Sequence, residues 1–114
     1  MATANQEFSR YLQFVRKTNG FSQYQLTLNA GLNPSHINRM EAGKRNPPKR
    51  ENVGKIAEAL NLDIKATALL FIAAGYVPNP PYNTIGEMHI LQKYLKYFLN
   101  EEQLHGRDIN YQAE

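Results

Sequence analysis

Apolar residues recur at intervals of three and four along almost the whole of this 114-residue chain, and no run of alternating β-branched residues competes with them. A chain patterned in this way buries its apolar stripes by packing helix on helix, so the expected fold class is all-α. Glycine, proline and capping residues then cut the pattern into pieces. A first helix covers about Asn5 to Lys17, with Phe8, Leu12 and Val15 on one face, and closes at Asn19-Gly20. A short second helix opens at Ser22, whose hydroxyl can satisfy free amide groups, and stops near Ala30-Gly31. The third opens at Asn33-Pro34, a cap followed by a proline where no amide hydrogen is needed, and ends at Ala42-Gly43. The loop from Lys44 to Lys49 contains Asn46-Pro47-Pro48, which forbids helix. Helix four spans about Arg50 to Leu60, with Val53, Ile56, Ala57 and Leu60 inward and Asn61 as a left-handed end.

Helix five, about Ile64 to Ala74, is apolar nearly all round and needs cover on more than one side. The stretch from Tyr76 to Asn83 holds Pro78, Pro80 and Pro81 and reads as a stiff connector. It divides the chain into a domain at 1–76, a linker at 77–84 and a C-terminal part at 85–114. Thr84 can cap a long amphipathic helix of about Ile85 to Leu104. Met88, Leu91, Leu95, Phe98 and Glu102 follow alternating spacing there, and Ile90, Tyr94, Tyr97 and Leu99 widen the apolar side. The polar end from His105 to Glu114 contains Gly106 and is expected to be loosely ordered.

Charge separates the two ends. Residues 1–76 carry ten basic and five acidic side chains, residues 77–114 three and five, so the overall +3 belongs to the first part. The absence of cysteine excludes disulfide scaffolds, thiol catalysis and cysteine-ligated metals. His36, His89 and His105 are not at metal-ligand spacing and no catalytic polar cluster is recognisable, so neither a metal, a cofactor nor an enzyme activity is expected. No stretch of 18 uninterrupted apolar residues and no basic, then apolar, leader is present, which predicts a cytoplasmic protein.

Two short helices joined by a glycine turn and followed by a basic, proline-held loop make a helix-turn-helix if the right positions are small or apolar. Leu26, Thr27, Ala30, Leu32, Ile37 and Met40 meet that condition, and Gly31 stands at the turn. In these residues the chain resembles the Cro/repressor-type (XRE) helix-turn-helix regulators of phages, plasmids and bacteria. The resemblance is carried by Arg16, Phe21-Ser22-Gln23, Leu26, Gly31-Leu32-Asn33-Pro34-Ser35, Ile37, Met40-Glu41-Ala42-Gly43-Lys44, Asn46-Pro47 and Ile56-Ala57-Glu58-Ala59-Leu60, and covers residues 5 to about 75. It implies a five-helix lambda-repressor-like domain, followed here by the C-terminal amphipathic helix. Position 27 departs from the family's usual alanine; the Thr27 hydroxyl can bond the carbonyl one turn back.

The resemblance further implies that the helix beginning at Asn33 enters the major groove of DNA. That helix exposes Asn33, Ser35, His36, Asn38 and Arg39, which suit base reading, with Arg39 matched to guanine and Asn38 or Asn33 to adenine. Gln23, Lys44, Arg45, Lys49 and Arg50 are the expected phosphate contacts; no acid lies between residues 42 and 50. Arg16 and Glu41 occupy the positions of a structural ion pair in the family. The expected function is sequence-specific binding of double-stranded DNA by a homodimeric transcription regulator, a repressor acting on an inverted repeat. Leu70, Met88, Leu91, Leu95 and Phe98 are the expected dimer or partner interface. The alternatives are an interaction module whose C-terminal helix binds another protein, and a helix that folds back onto its own domain.

Overall fold

The structure, a computed structural model, describes residues 4–113, with side chains described for residues 6–100. Six helices follow in order, α1 (Ala4–Thr18), α2 (Gln23–Ala30), α3 (Pro34–Glu41), α4 (Arg50–Ala59), α5 (Ile64–Ala73) and α6 (Ile85–Ala113), and among the described residues there is no strand. The ends are set by the expected chemistry. Ser22 and Gln25 form a reciprocal cap at α2: the Gln25 amide donates to the Ser22 hydroxyl at 3.0 Å, and the Ser22 amide to the Gln25 side chain at 2.9 Å. Asn33 accepts from the Ser35 amide at 2.9 Å and Asp63 from the Ala66 amide at 2.7 Å, each capping its helix. Gly31 takes φ +67° between α2 and α3, where a side chain would be strained, and Asn61 takes φ +56° after α4.

The core is built from one face of each helix. Phe8, Leu12, Leu26, Ile37, Val53, Ile56, Leu60 and Leu70 are fully buried, with α1 packed on α3 and α5, α2 on α4, and α4 on α5. Thr27 is buried as well, and its hydroxyl donates to the Gln23 carbonyl at 2.8 Å, the bond that lets a polar side chain stand at this close approach.

α6 returns to the domain and lies on α5 and α1. Leu91, Leu95 and Leu99 are each only 2% exposed. Phe98 meets the rings of Phe14 and Tyr11 edge-on at 4.5 and 5.7 Å between centroids, and Arg10 donates to the Leu99 carbonyl. Burial, with Tyr94 and Asp63 adding to it, pushes the Tyr11 phenol well above its usual range. This corrects the expected partner interface. Leu70, Leu91 and Leu95 are inside the chain, Phe98 is half-buried against α1, and Met88 is half-buried. The reason is proximity: α5 is apolar all round, and a short connector holds α6 beside it at high effective concentration.

The connector is itself fastened down. Pro78 is fully buried, the Tyr76 hydroxyl donates to the Pro48 carbonyl at 2.8 Å, and Thr84 caps α6 by accepting from the Glu87 amide at 3.2 Å. α6 also runs past Leu104, the expected end, through Gly106 to Ala113; side chains there lie outside the described residues. One glycine weakens a helix by about 1 kcal/mol, which does not end it here.

Candidate nucleic-acid interface

The third helix is held from behind and open in front. Ile37 and Met40 are buried against the domain, whereas Ser35, Asn38 and Arg39 are exposed and His36 is half-buried. Between α3 and the following loop lies a cleft of about 420 Å³, lined by His36, Met40, Arg45, Pro47, Lys49 and Asn52 among others. Pro47 and Pro48 make its far wall rigid, and the Tyr76 hydroxyl anchors that wall through Pro48. Among the described residues, Lys44, Arg45 and Lys49 have no carboxylate partner, so their charge faces solvent.

Glu41 fixes the orientation of this surface. It is buried at the last turn of α3, and its carboxylate receives two bonds from the Arg16 guanidinium, Nε to Oε2 at 2.6 Å and Nη2 to Oε1 at 2.8 Å. Arg16 also donates to the Phe21 carbonyl at 2.8 Å, so one guanidinium ties α1, the loop before α2 and the end of α3. The Glu41 backbone carbonyl is held in turn by Ser9 and Gln13, each at 2.6 Å. No buried side-chain nitrogen or oxygen among the described residues lacks a partner.

The same carboxylate reaches the outer surface through Gln23. Gln23 donates from Nε2 to Glu41 Oε1 at 3.0 Å, and its Oε1 accepts from Asn38 Nδ2 at 3.3 Å. A carboxylate only accepts, so the amide must turn its nitrogen inward and its oxygen outward. Gln23, expected as a phosphate contact, thus joins the structural pair to a residue expected to read bases.

The other expected site residues divide. Asn33 is exposed, but its Oδ1 already accepts from the Ser35 amide and from the Ser35 hydroxyl at 2.7 Å, which makes it first a helix cap. Arg50 does not join Arg45 and Lys49 at the cleft. Its guanidinium donates to the Val77 carbonyl and to Asn79 at 2.8 Å and lies 4.7 Å over the Phe71 ring. The Val77 carbonyl and the Asn79 side-chain oxygen of the linker hold it, a competition invisible in a charge run. Asn52 at the cleft and the Ser9 and Gln13 bonds to Glu41 were not among the expected contributors. The spacing of Ser9 and Gln13, four apart on the edge of the buried face of α1, was the available signal. Among the described residues no three His, Asp or Glu side chains are grouped to hold a metal ion, and no helix is long and apolar enough to cross a membrane.

Comparison with known proteins agrees with this geometry. Residues 12–66 match the family model described as helix-turn-helix. The chain is 31% identical over 84 residues to the HTH-type transcriptional repressor RghR of Bacillus subtilis (strain 168), an alignment covering 69% of this chain and 60% of that protein. It thus spans less than two thirds of that relative's length. The crystal structure of the restriction-modification controller protein C.AhdI from Aeromonas hydrophila superposes with a TM-score of 0.51 at 30% identity, over 55% of this chain and 94% of the other. The paired helices about Gly31, the buried Arg16–Glu41 bridge and these likenesses converge: the chain belongs to the XRE-type helix-turn-helix family.

Proposed function

We propose that this chain is a sequence-specific, double-stranded DNA-binding transcription regulator that represses by occupying its site, two copies together reading an inverted repeat in the cytoplasm of a bacterial or phage-infected cell. One observation carries the reading: α3 turns Ser35, Asn38 and Arg39 to solvent beside a cleft whose walls bear Arg45 and Lys49, with no acid from residue 42 to 50. In this reading Arg39 meets guanine through two bonds, Asn38 and Ser35 meet neighbouring base edges, and Lys44, Arg45 and Lys49 grip phosphates on either side. Asn33 and His36 lie at the two margins of the reading surface, Asn33 limited by its capping bonds. A single domain spans only a short piece of groove, so a second copy about 34 Å away adds both affinity and length of sequence read. The repressor relative and the controller-protein likeness support the same class of function.

Selection of bound fragments from random duplex DNA tests this reading, with a palindromic consensus as the expected result. Arg39→Ala should then lose roughly 10- to 100-fold discrimination at one base pair of that consensus while keeping its non-specific affinity. Lys44→Ala should weaken every duplex alike and lower the slope of log affinity against log salt by about 0.9. Titrations at several salt concentrations separate the two. If neither variant differs from the parent, the assigned surface is wrong. A second reading, a protein-interaction module in place of DNA binding, is favoured by the exposed apolar residues of α6; it requires a protein that shows no preference among duplexes.

A further inference from the structure

Where α6 crosses α1 and α5 the packing leaves an open pocket of about 200 Å³. Tyr11 and Phe14 from α1, Ala66 and Leu69 from α5, and Tyr94 and Phe98 from α6 line it, so its walls are mainly aromatic rings. Phe98 stands edge-on to Tyr11 and Phe14 and close to parallel with Tyr94, at 20°. Rings that fix one another in this way present faces and edges to a further ring and lose little freedom when it binds. The volume lies below the range of about 300–1,000 Å³ that encloses a drug-sized ligand, which limits the occupant to one ring and a short tail.

The rim carries one charge of each sign. Asp63 and Lys65 both line the pocket and are exposed, yet they form no ion pair with one another. One carboxylate oxygen of Asp63 accepts from the Ala66 amide, and the other has no bond among the described contacts. The Lys65 ammonium has no carboxylate partner among the described residues and rests 4.8 Å from the centre of the Tyr94 ring. Deeper in, the Tyr11 hydroxyl donates to the Ala66 carbonyl at 3.4 Å, well beyond the usual length of about 2.7–2.8 Å. Burial keeps that hydroxyl in its neutral form, so it can exchange this weak bond for a better one. We propose that the pocket binds a small zwitterion with one aromatic ring, the class of the aromatic α-amino acids. The ring lies among Phe14, Tyr94 and Phe98, the carboxylate meets Lys65 and the ammonium meets the free oxygen of Asp63. An aromatic acid or an aromatic amine satisfies one rim charge and meets the other as like against like, so the zwitterion is preferred over both. The occupant touches α1, α5 and α6 together and so fastens α6 to the domain. The site is separate from the α3 surface, and its occupancy is measured without DNA.

Calorimetric titration of the full chain with L-phenylalanine and L-tyrosine tests it, alongside 3-phenylpropionate, which lacks the ammonium, and phenethylamine, which lacks the carboxylate. At least one of the amino acids is expected to bind with a Kd at or below about 1 mM, a strength ordinary for so small a ligand, and to raise the melting temperature as its concentration rises. The acid and the amine should each bind at least about fivefold more weakly, the loss of one hydrogen-bonded charge. Lys65→Gln and Asp63→Asn, the second keeping the helix cap, should each weaken the amino acid by a similar factor without changing the melt of the unliganded chain, since both side chains are exposed. Lys65→Gln should leave the amine, and Asp63→Asn the acid, bound no more weakly than before. A Kd above about 1 mM for both amino acids overturns the proposal. So does an acid or an amine that binds as tightly as the amino acid, or binding of the amino acid that either substitution leaves unaltered.

Discussion

Replacing Glu41 by alanine is expected to destabilise the domain by about 3–5 kcal/mol, lowering the melting temperature by roughly 10–25 °C, and to abolish DNA binding as a consequence. The Arg16 and Glu41 side chains are only 10% and 4% exposed, so the substitution strands a guanidinium where water cannot replace its partner. It also leaves the Gln23 amide without its acceptor. The pair need not be stabilising in itself to make its rupture severe, because an apolar pair of similar volume avoids the penalty altogether. Arg16→Met combined with Glu41→Leu should therefore recover much of the loss seen with Glu41→Ala. Calorimetric melting of the three proteins checks this; an unchanged melt for Glu41→Ala would show that the bridge does not hold the helices together.

The second large effect is expected in α6. Leu95→Ala should cost about 2–5 kcal/mol, the range for emptying a buried leucine site. Tyr97→Ala, two residues on but exposed, should change the stability of the single chain by no more than about 0.5 kcal/mol. Urea unfolding at concentrations low enough to suppress association compares them. Equal and small effects would mean that α6 does not cover α5 in solution. The contrast matters because residues 12–66, the part that matches the family, end before α6 begins.

The helix-turn-helix was legible because its determinants are local. Ser22, Asn33-Pro34 and Gly31 each fix a helix end through groups within a few residues, and Leu26, Thr27, Ala30, Ile37 and Met40 are buried as the helix-turn-helix geometry requires, with Leu32 half-buried in the turn. The Arg16–Glu41 pair spans 25 residues and was accessible through the family resemblance. What could not be read was the outcome of competition between distant groups. Leu91 and Leu95 fit an external seam as well as an internal one until the position of α5 is known. Arg50 looks like Lys49 in sequence, yet the Val77 carbonyl and Asn79 lie 27 and 29 residues away and hold it. Sequence spacing also marked Asn33 and Asn38 alike, although one oxygen is committed to a cap and the other residue's nitrogen to Gln23.

The line of bonds from Arg16 through Glu41 and Gln23 to Asn38 limits how such a regulator can acquire new targets. On the base-reading role proposed for α3, Arg39, with no bond to that line among the described contacts, can be exchanged as an independent letter of the recognition code. Position 38 cannot: a different side chain there also changes what the Gln23 oxygen meets, and through it the setting of a carboxylate on which the stability of the domain depends. Drift in operator preference should therefore begin at Arg39, and a change at 38 should persist only when 23 changes with it.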